Sequence, residues 1–401
     1  MIRNSPPEGR PIERRRFQIS VRGEKAAELK RTKEKGAGET DGGVHAPKCG
    51  VAHKGGLKFE RGRVHEELQG YLSRGDEQLK VSVIIEGDNE KHCPKSDDGP
   101  VCLGLAGLAE QEYPLEQIDL LLVGNTTQID EWRRGIAAMP FGRVRTIAAD
   151  GVDYFEMKQR GALEAVCPIL AFLDSDVKPR RTWLRSLVDS IETGYDISVG
   201  VTRLEWHGRC GPDSGLMLAF GSISWGAIIS SSGVSGFHAN NVGLRSEVLD
   251  AGQYRKGMFR TCAAQELFNS LRQAGKRAIF RNEQCVVHAF SLEWWAEMHG
   301  RSGRESILLR RMFRDWPHQW VRNTGPLEPL LTALWRIAQD PGQWWRYAGA
   351  VNISRARRVL LFPLLLTVSV ATRGTEMIGG YAGMLDGSLA REMPMHLSGK
   401  P

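Results

Sequence analysis

Asp174 and Asp176 close the run ILAFLDSDV, one serine apart, directly after five mostly apolar residues. Charged groups are not taken into a core unless something pairs with them, so two acids at the end of a buried segment demand a partner. A hard divalent cation is one such partner, because carboxylate oxygens are the ligands of Mg2+ and Mn2+ and substrate phosphates usually complete the coordination. The alternative is a turn in which Asp174 caps backbone amides and Asp176 faces water. Other side chains also have chemistry to offer. Lys158 and Arg160 suit a phosphate or a solvated helix face. Trp294 and Trp295 suit stacking on a sugar or lipid, or core packing. Glu266 opens the helical stretch AQELFNSLRQAG, where the positive end of the helix dipole favours an ionised carboxylate. His238 reads as a hydrogen-bonded structural histidine.

The elements that must hold these groups alternate in type. KVSVIIEGDNE is a β-branched run ending in a turn, and CLGLAGLAEQEYP has apolar residues at helical spacing that stop before Pro114. QIDLLLVGN, QIDEWRRGIAAM, RVRTIAA, EMKQRGALEAVC and PILAFLDSD follow as strand, helix, strand, helix and strand. Such alternation predicts a doubly wound α/β sheet. Ligands of these sheets bind beyond the carboxyl ends of the strands, and Asp174 and Asp176 stand at one of those ends. The glycine- and serine-rich stretch between Trp206 and Gly236 reads as a mobile loop. After it come FHANNVGLRSEVLDAGQY, the helix CAAQELFNSLRQAGKR and the strand RAIFRNEQCVVHAF.

The 401 residues are 41% hydrophobic and 25% charged, which leaves room for a large core. Residues 1–80 carry 18 Lys and Arg against 12 Asp and Glu, most of the net charge of +7, so the remainder is nearly neutral. Residues 1–79 read as a basic, mobile tail. They lack the aromatic interleaving of a nucleic-acid binder, so no nucleic acid is expected as a partner, and they lack the apolar core of a secretory signal. Seven widely spread cysteines without a C-x-x-C pair argue for reduced thiols in a cytoplasmic setting, against a disulfide framework or a structural zinc. In the tryptophan-rich segment 315–401, the apolar run Val359–Ala371 is 13 residues long. As a helix it reaches about 20 Å, against roughly 30 Å for a bilayer core. With Pro363 inside it, the run reads as a re-entrant or interfacial segment at the inner face of the cytoplasmic membrane, or as a buried helix.

In this order and at these separations, VSVIIEGDNE, CLGLAGLAEQEYP, ILAFLDSDVKPRRTWLRSLV, FHANNVGLRSEVLDAGQY, AQELFNSLRQAG and CVVHAF resemble family 2 glycosyltransferases of the GT-A fold. The resemblance covers about Lys80 to Arg314. It implies a GT-A type doubly wound mixed sheet with a nucleotide-sugar-binding half at 80–200, an acceptor and catalytic-base half at 201–314, and a helical C-terminal extension. It implies that Asp174 and Asp176 hold Mg2+ or Mn2+ on the diphosphate of a nucleotide-sugar, with His288 as a further ligand. Glu86, Asn89 and Asn125 fall where the family faces its donor, joining Lys158 and Asp174. Asn241 falls on the acceptor side, joining Trp294, with a glycan, lipid-linked or other hydroxyl as acceptor. Glu266 takes the place of the catalytic base in an inverting single displacement. Four positions depart from the family. Its acids after the second strand are Gly124 and Asn125 here, its base aspartate is Glu266, and the base's acidic neighbour is Gln265. Two further readings stay open: a metal-dependent nucleotidyltransferase, which would release pyrophosphate, and a non-catalytic nucleotide- or glycan-binding descendant.

Overall fold

The computed structural model describes residues 80–89, 93, 95–96, 99–100, 102–230, 233–250, 254, 260, 262–312 and 319–385, all within the unit Glu66–Pro401. The expected tail at 1–79 lies outside the described residues.

Eight strands form one mixed sheet: β1 (Val81–Glu86), β2 (Ile118–Gly124), β3 (Arg143–Ala148), β4 (Ile169–Asp174), β5 (Val177–Pro179), β6 (Ile197–Glu205), β7 (Asn241–Arg245) and β8 (Ala278–Ala289). Their order is β3-β2-β1-β4-β7-β6-β8-β5. The first four run parallel, β7 is antiparallel to both of its neighbours, and β8 is parallel to β6. This is the doubly wound α/β sheet that the alternation of patterns leads one to expect, and it is mixed, as the resemblance implies. A boundary at residue 200 would cut through β6, so the two expected halves share one continuous sheet.

Strands β1, β2 and β4 are buried along their whole length. A parallel sheet covered on both faces gives each side chain an apolar neighbour, which is why these strands are apolar runs and do not alternate. The helices that cover the sheet are α1 (Leu103–Leu108), α2 (Thr126–Ile136), α3 (Tyr154–Glu164), α4 (Trp183–Glu192), α5 (Gly215–Trp225) and α6 (Ala263–Gln273). On one face Ile84, Leu121 and Phe172 pack with Phe155 of α3 and Phe268 of α6. On the other, Ile85, Leu122 and Leu173 pack with Trp132 of α2 and Leu187 of α4.

The stretch expected as a mobile loop contains α5, which is buried from Met217 to Ile223. Ser214 caps it, its hydroxyl accepting the Met217 N–H at 3.3 Å. The small residues that suggested a loop serve close packing: a Cβ on Gly221 would stand 3.0 Å from the Tyr347 hydroxyl. Beyond the sheet, α7 (Leu292–Met312), α8 (Glu328–Ala350), α9 (Arg355–Leu360) and α10 (Phe362–Leu385) form the expected helical extension. The apolar run Val359–Ala371 is divided between α9 and α10, with Pro363 in the first turn of α10, where no helical bond needs its N–H. Among the described residues no helix is long and apolar enough to cross a membrane.

Candidate active site at the carboxyl ends of β1 and β4

The parallel register of β1 and β4 pairs Glu86 with Asp174 at the ends of the two strands. Both carboxylates are buried, and Asn89 in the turn after β1 bridges them. Its side-chain amide donates to Glu86 Oε1 at 2.9 Å and to Asp174 Oδ2 at 2.8 Å. The Asp88 N–H donates to the other Glu86 oxygen at 2.6 Å. From α3, the Tyr154 hydroxyl donates to Asp174 at 2.9 Å, and Lys158 Nζ lies 2.6 Å from Asp174 Oδ1. One helical turn separates Tyr154 and Lys158, so a single face of α3 delivers a hydroxyl and a buried cation to one carboxylate. Burial, and then the charge of Asp174, push the Glu86 carboxyl up to about 8.

Arg260, shortly before α6, reaches back to this turn. Its Nη1 is 2.6 Å from Asp88 Oδ2, its Nη2 donates to Asn89 Oδ1, and its guanidinium lies 4.2 Å from the centre of the Tyr154 ring. The start of α6 is thereby tied to the site, and Glu266 sits half-buried in its first turn. The neighbouring Gln265 amide donates to the Ser235 carbonyl at 2.9 Å, which anchors the approach to β7 against the same turn.

Asp176 and His288 form a second centre. The pairing of β5 with β8 sets His288 opposite Val177, next to Asp176, and His288 Nε2 stands 3.2 Å from Asp176 Oδ2. Nδ1 of His288 is 2.6 Å from the Ala289 carbonyl oxygen, a contact that requires the proton on Nδ1. Burial pulls the ring's pKa down to about 4, so at neutral pH Nε2 presents a lone pair. When Asp176 is ionised, two acceptors therefore face each other, and neither of its carboxylate oxygens finds a hydrogen-bond donor among the described residues. Burial first, and Asp174 next, hold the Asp176 carboxyl well above the usual carboxylate range. Such a contact is relieved by a cation or a proton between the two groups. A carboxylate oxygen beside a neutral imidazole nitrogen is a donor set that suits a divalent metal. Among the described residues no three His, Cys, Asp or Glu side chains gather into a complete metal cage. Asp174, expected as a metal ligand, is engaged by Lys158, Asn89 and Tyr154, which leaves Asp176 and His288 as the protein's available pair.

Aromatic rings wall this centre. Trp294, expected to face an acceptor, is buried with its ring 4.5 Å from that of His288, and so it fixes the imidazole. His238 is structural, as expected: half-buried, its Nε2 3.3 Å from the Trp225 carbonyl oxygen and its ring 4.5 Å from that of Trp225, with its pKa pulled down to about 4 by desolvation. Trp225, half-buried, has its ring 5.9 Å from that of His288.

Two expected site residues are spent on the fold. Asn241 Nδ2 donates to the carbonyls of Val201 at 2.9 Å and Gln284 at 3.1 Å, and its Oδ1 accepts the Trp183 indole N–H at 2.9 Å. A saturated amide inside the sheet has no atom left for an acceptor, so the acceptor-side expectation is corrected. Asn125 caps α2, its side chain accepting the Gln128 N–H at 3.0 Å while Gln128 Oε1 accepts the Asn125 N–H at 3.1 Å. Its side-chain oxygen thus serves the helix and not the expected donor. Tyr154, Arg260 and Trp225 are the site residues that sequence reading missed. Tyr154 could have been found from its i, i+4 spacing to Lys158; Arg260 and Trp225 carry no local signal.

No protein-family model and no curated protein sequence matches the chain. Among solved structures, the chain is similar to a mannosyltransferase, PcManGT from Pyrobaculum calidifontis, in complex with GDP-Man and Mn2+. The identity is 15% and the TM-score 0.49, over 77% of this chain and 88% of that one. It is similar also to S. aureus TarS 1-349 in complex with UDP-GlcNAc, at 14% identity and TM-score 0.41, over 78% of this chain and 92% of that one. A third likeness is to GalNAc-T7 with UDP, GalNAc and Mn2+, at 15% identity and TM-score 0.38, over 54% of this chain and 44% of that one. These are likenesses of backbone at low identity; the chemistry is set by the side chains described above.

Proposed function

We propose that this protein is an inverting glycosyltransferase of the family 2 type, moving a sugar from a nucleotide-sugar to an acceptor hydroxyl with the help of Mg2+ or Mn2+. The observation that carries the reading is the buried Asp176–His288 pair, two acceptors 3.2 Å apart, next to the Asn89-bridged carboxylates at the strand ends where nucleotides bind in such sheets. Asp176 and His288 would hold the metal. When bound, it would neutralise charge developing on the departing diphosphate. Lys158, Tyr154 and Asn89 fix Asp174 before any donor arrives, so these side chains are organised in advance. Arg260 brings the start of α6 to the same place, and the dipole of that helix favours an ionised Glu266. Glu266 would take the proton of the acceptor hydroxyl as its oxygen bonds to the anomeric carbon. The carbon–oxygen bond to the donor phosphate breaks in the same step, and its electron pair leaves with the nucleoside diphosphate.

The test is to incubate the protein with nucleotide-sugars and Mn2+ and to identify the products. Release of a nucleoside diphosphate with inversion at the anomeric carbon is expected. Release of pyrophosphate would transfer the site to nucleotidyl chemistry. If no nucleotide-sugar stabilises the protein or turns over, with or without Mn2+, the enzymatic reading fails.

A further inference from the structure

Helix α10 buries its charges and α8 buries its acids, while both expose apolar residues, the reverse of the pattern a helix in water adopts. In α10 the only charged residues are Arg373 and Glu376, and both are buried. Its outward positions Leu366, Val370, Ile378 and Leu385 recur at helical spacing, with Ile378 68% exposed. In α8 the two acids Glu328 and Asp340 are buried, while Leu330, Leu334, Trp335 and Trp345 face outward. The two helices run antiparallel: Asp340 meets Ser369 and Arg373, and Arg336 meets Glu376. At 23 and 24 residues each extends about 35 Å. At the turn between them, α9 exposes Val359 and Leu360, the latter 77% exposed, beside Arg355 and Arg357. Arg346 is exposed at the adjoining end of α8. Arg346 and Arg357 each give one donor to a backbone carbonyl, of Ile229 and Asp213. A guanidinium has five donors, so both keep others free.

We propose that the outward faces of α8, α9 and α10 seat the protein on the surface of a bilayer containing anionic lipid, with Arg346, Arg355 and Arg357 at the headgroups. Every acid from Glu328 to Leu385 is buried and ion-paired, so the exposed charges of α8, α9 and α10 are arginines alone; Asp213, exposed beside Arg357, is itself paired with Arg203 and Arg180. A lipid surface supplies both complements, an apolar layer and fixed negative charge. A second copy of the same face would set the arginines of α8 and α9 against one another, and those three helices expose no acid to meet them. The helices lie on the bilayer, since neither is apolar enough to cross it. This inference does not depend on the reaction catalysed.

Flotation of the full chain with vesicles tests it, using phosphatidylcholine alone and phosphatidylcholine with phosphatidylglycerol. The protein should float with the anionic vesicles and less with the neutral ones. Its tryptophan emission should shift to the blue and be quenched by brominated lipid, because Trp335 and Trp345 are exposed. Val370→Glu and Ile378→Glu alter exposed positions, so both variants should fold as judged by circular dichroism while vesicle binding falls about tenfold or more. Arg355→Glu should weaken binding to anionic vesicles selectively. Failure of the unmodified chain to float overturns the proposal, as does equal flotation of Ile378→Glu. A soluble dimer that Ile378→Glu dissociates, without vesicle binding, would reassign the face to a protein partner. Equal binding to neutral and anionic vesicles would remove the headgroup role of the arginines.

Discussion

Asp176→Asn should stabilise the metal-free protein and remove its response to metal. In the parent, a carboxylate oxygen and an imidazole lone pair face each other at 3.2 Å in a fully buried place. The amide has nearly the same shape but supplies an N–H that can donate to His288 Nε2. Once pH is high enough to remove the proton from Asp176, a buried polar group is left unpaired at a cost of about 1–3 kcal/mol, and relieving it should then raise the melting temperature by roughly 2 °C or more. The gap should widen with pH. Burial raises the Asp176 carboxyl well above its ordinary 3.8, so the folded parent binds a proton there that the unfolded chain releases. Stability from that proton is complete below 3.8 and is lost as pH rises through the folded value, whereas the amide loses nothing. Thermal unfolding at several pH values, with and without Mn2+, measures both effects. At a hundredfold excess of Mn2+ over its dissociation constant the parent should gain about 2.7 kcal/mol and the variant nothing. A variant less stable than the parent without metal, or one that Mn2+ stabilises to the same degree, would refute the reading of this pair.

Lys158→Met leaves Asp174 buried without its cation and should cost about 3–5 kcal/mol in denaturant unfolding; an unchanged midpoint would contradict the ion pair's role. Gly303→Ala would put a Cβ 1.9 Å from the Glu376 carbonyl oxygen, forcing α7 from α10 at a cost of about 1–3 kcal/mol, with circular dichroism and melting temperature as readouts. For Glu376, burial alone would raise the carboxyl, but Arg336 and Arg373 outweigh it and hold the group well below its ordinary 4.5. Its contribution is therefore complete above 4.5 and lost as pH falls below it, so the acid limb of a stability–pH curve should be shallower in Glu376→Gln; superimposable limbs would deny the effect.

The sheet and the place of the site are legible in the sequence because burial on both faces writes itself as unbroken apolar runs, VSVII and ILAFL, each ending in a polar turn. Glu86, Asn89, Lys158 and Asp174 converge because strand ends of a parallel sheet share one edge. What could not be read is which polar atoms are already spent. Asn241 looks like a site residue until the sheet brings Val201 and Gln284, and α4 brings Trp183, to its amide. Glycines and serines mark a loop or a closely packed helix equally well, and only the tertiary neighbour Tyr347 decides for α5. Arg260 becomes part of the site through contacts to Asp88 and Asn89, far away in sequence, which no local pattern announces.

The central claim, sugar transfer with Glu266 as base, is tested most directly by the rate of nucleoside diphosphate release with donor, Mn2+ and acceptor. Glu266→Gln keeps size and hydrogen-bonding capacity but cannot take a proton. Its rate should fall about 10²–10⁴-fold while donor and Mn2+ binding are preserved. Glu266→Asp keeps the chemistry but draws the carboxylate back by one methylene, so it should retain part of the rate. Transfer by Glu266→Gln at the unmodified rate would contradict the account.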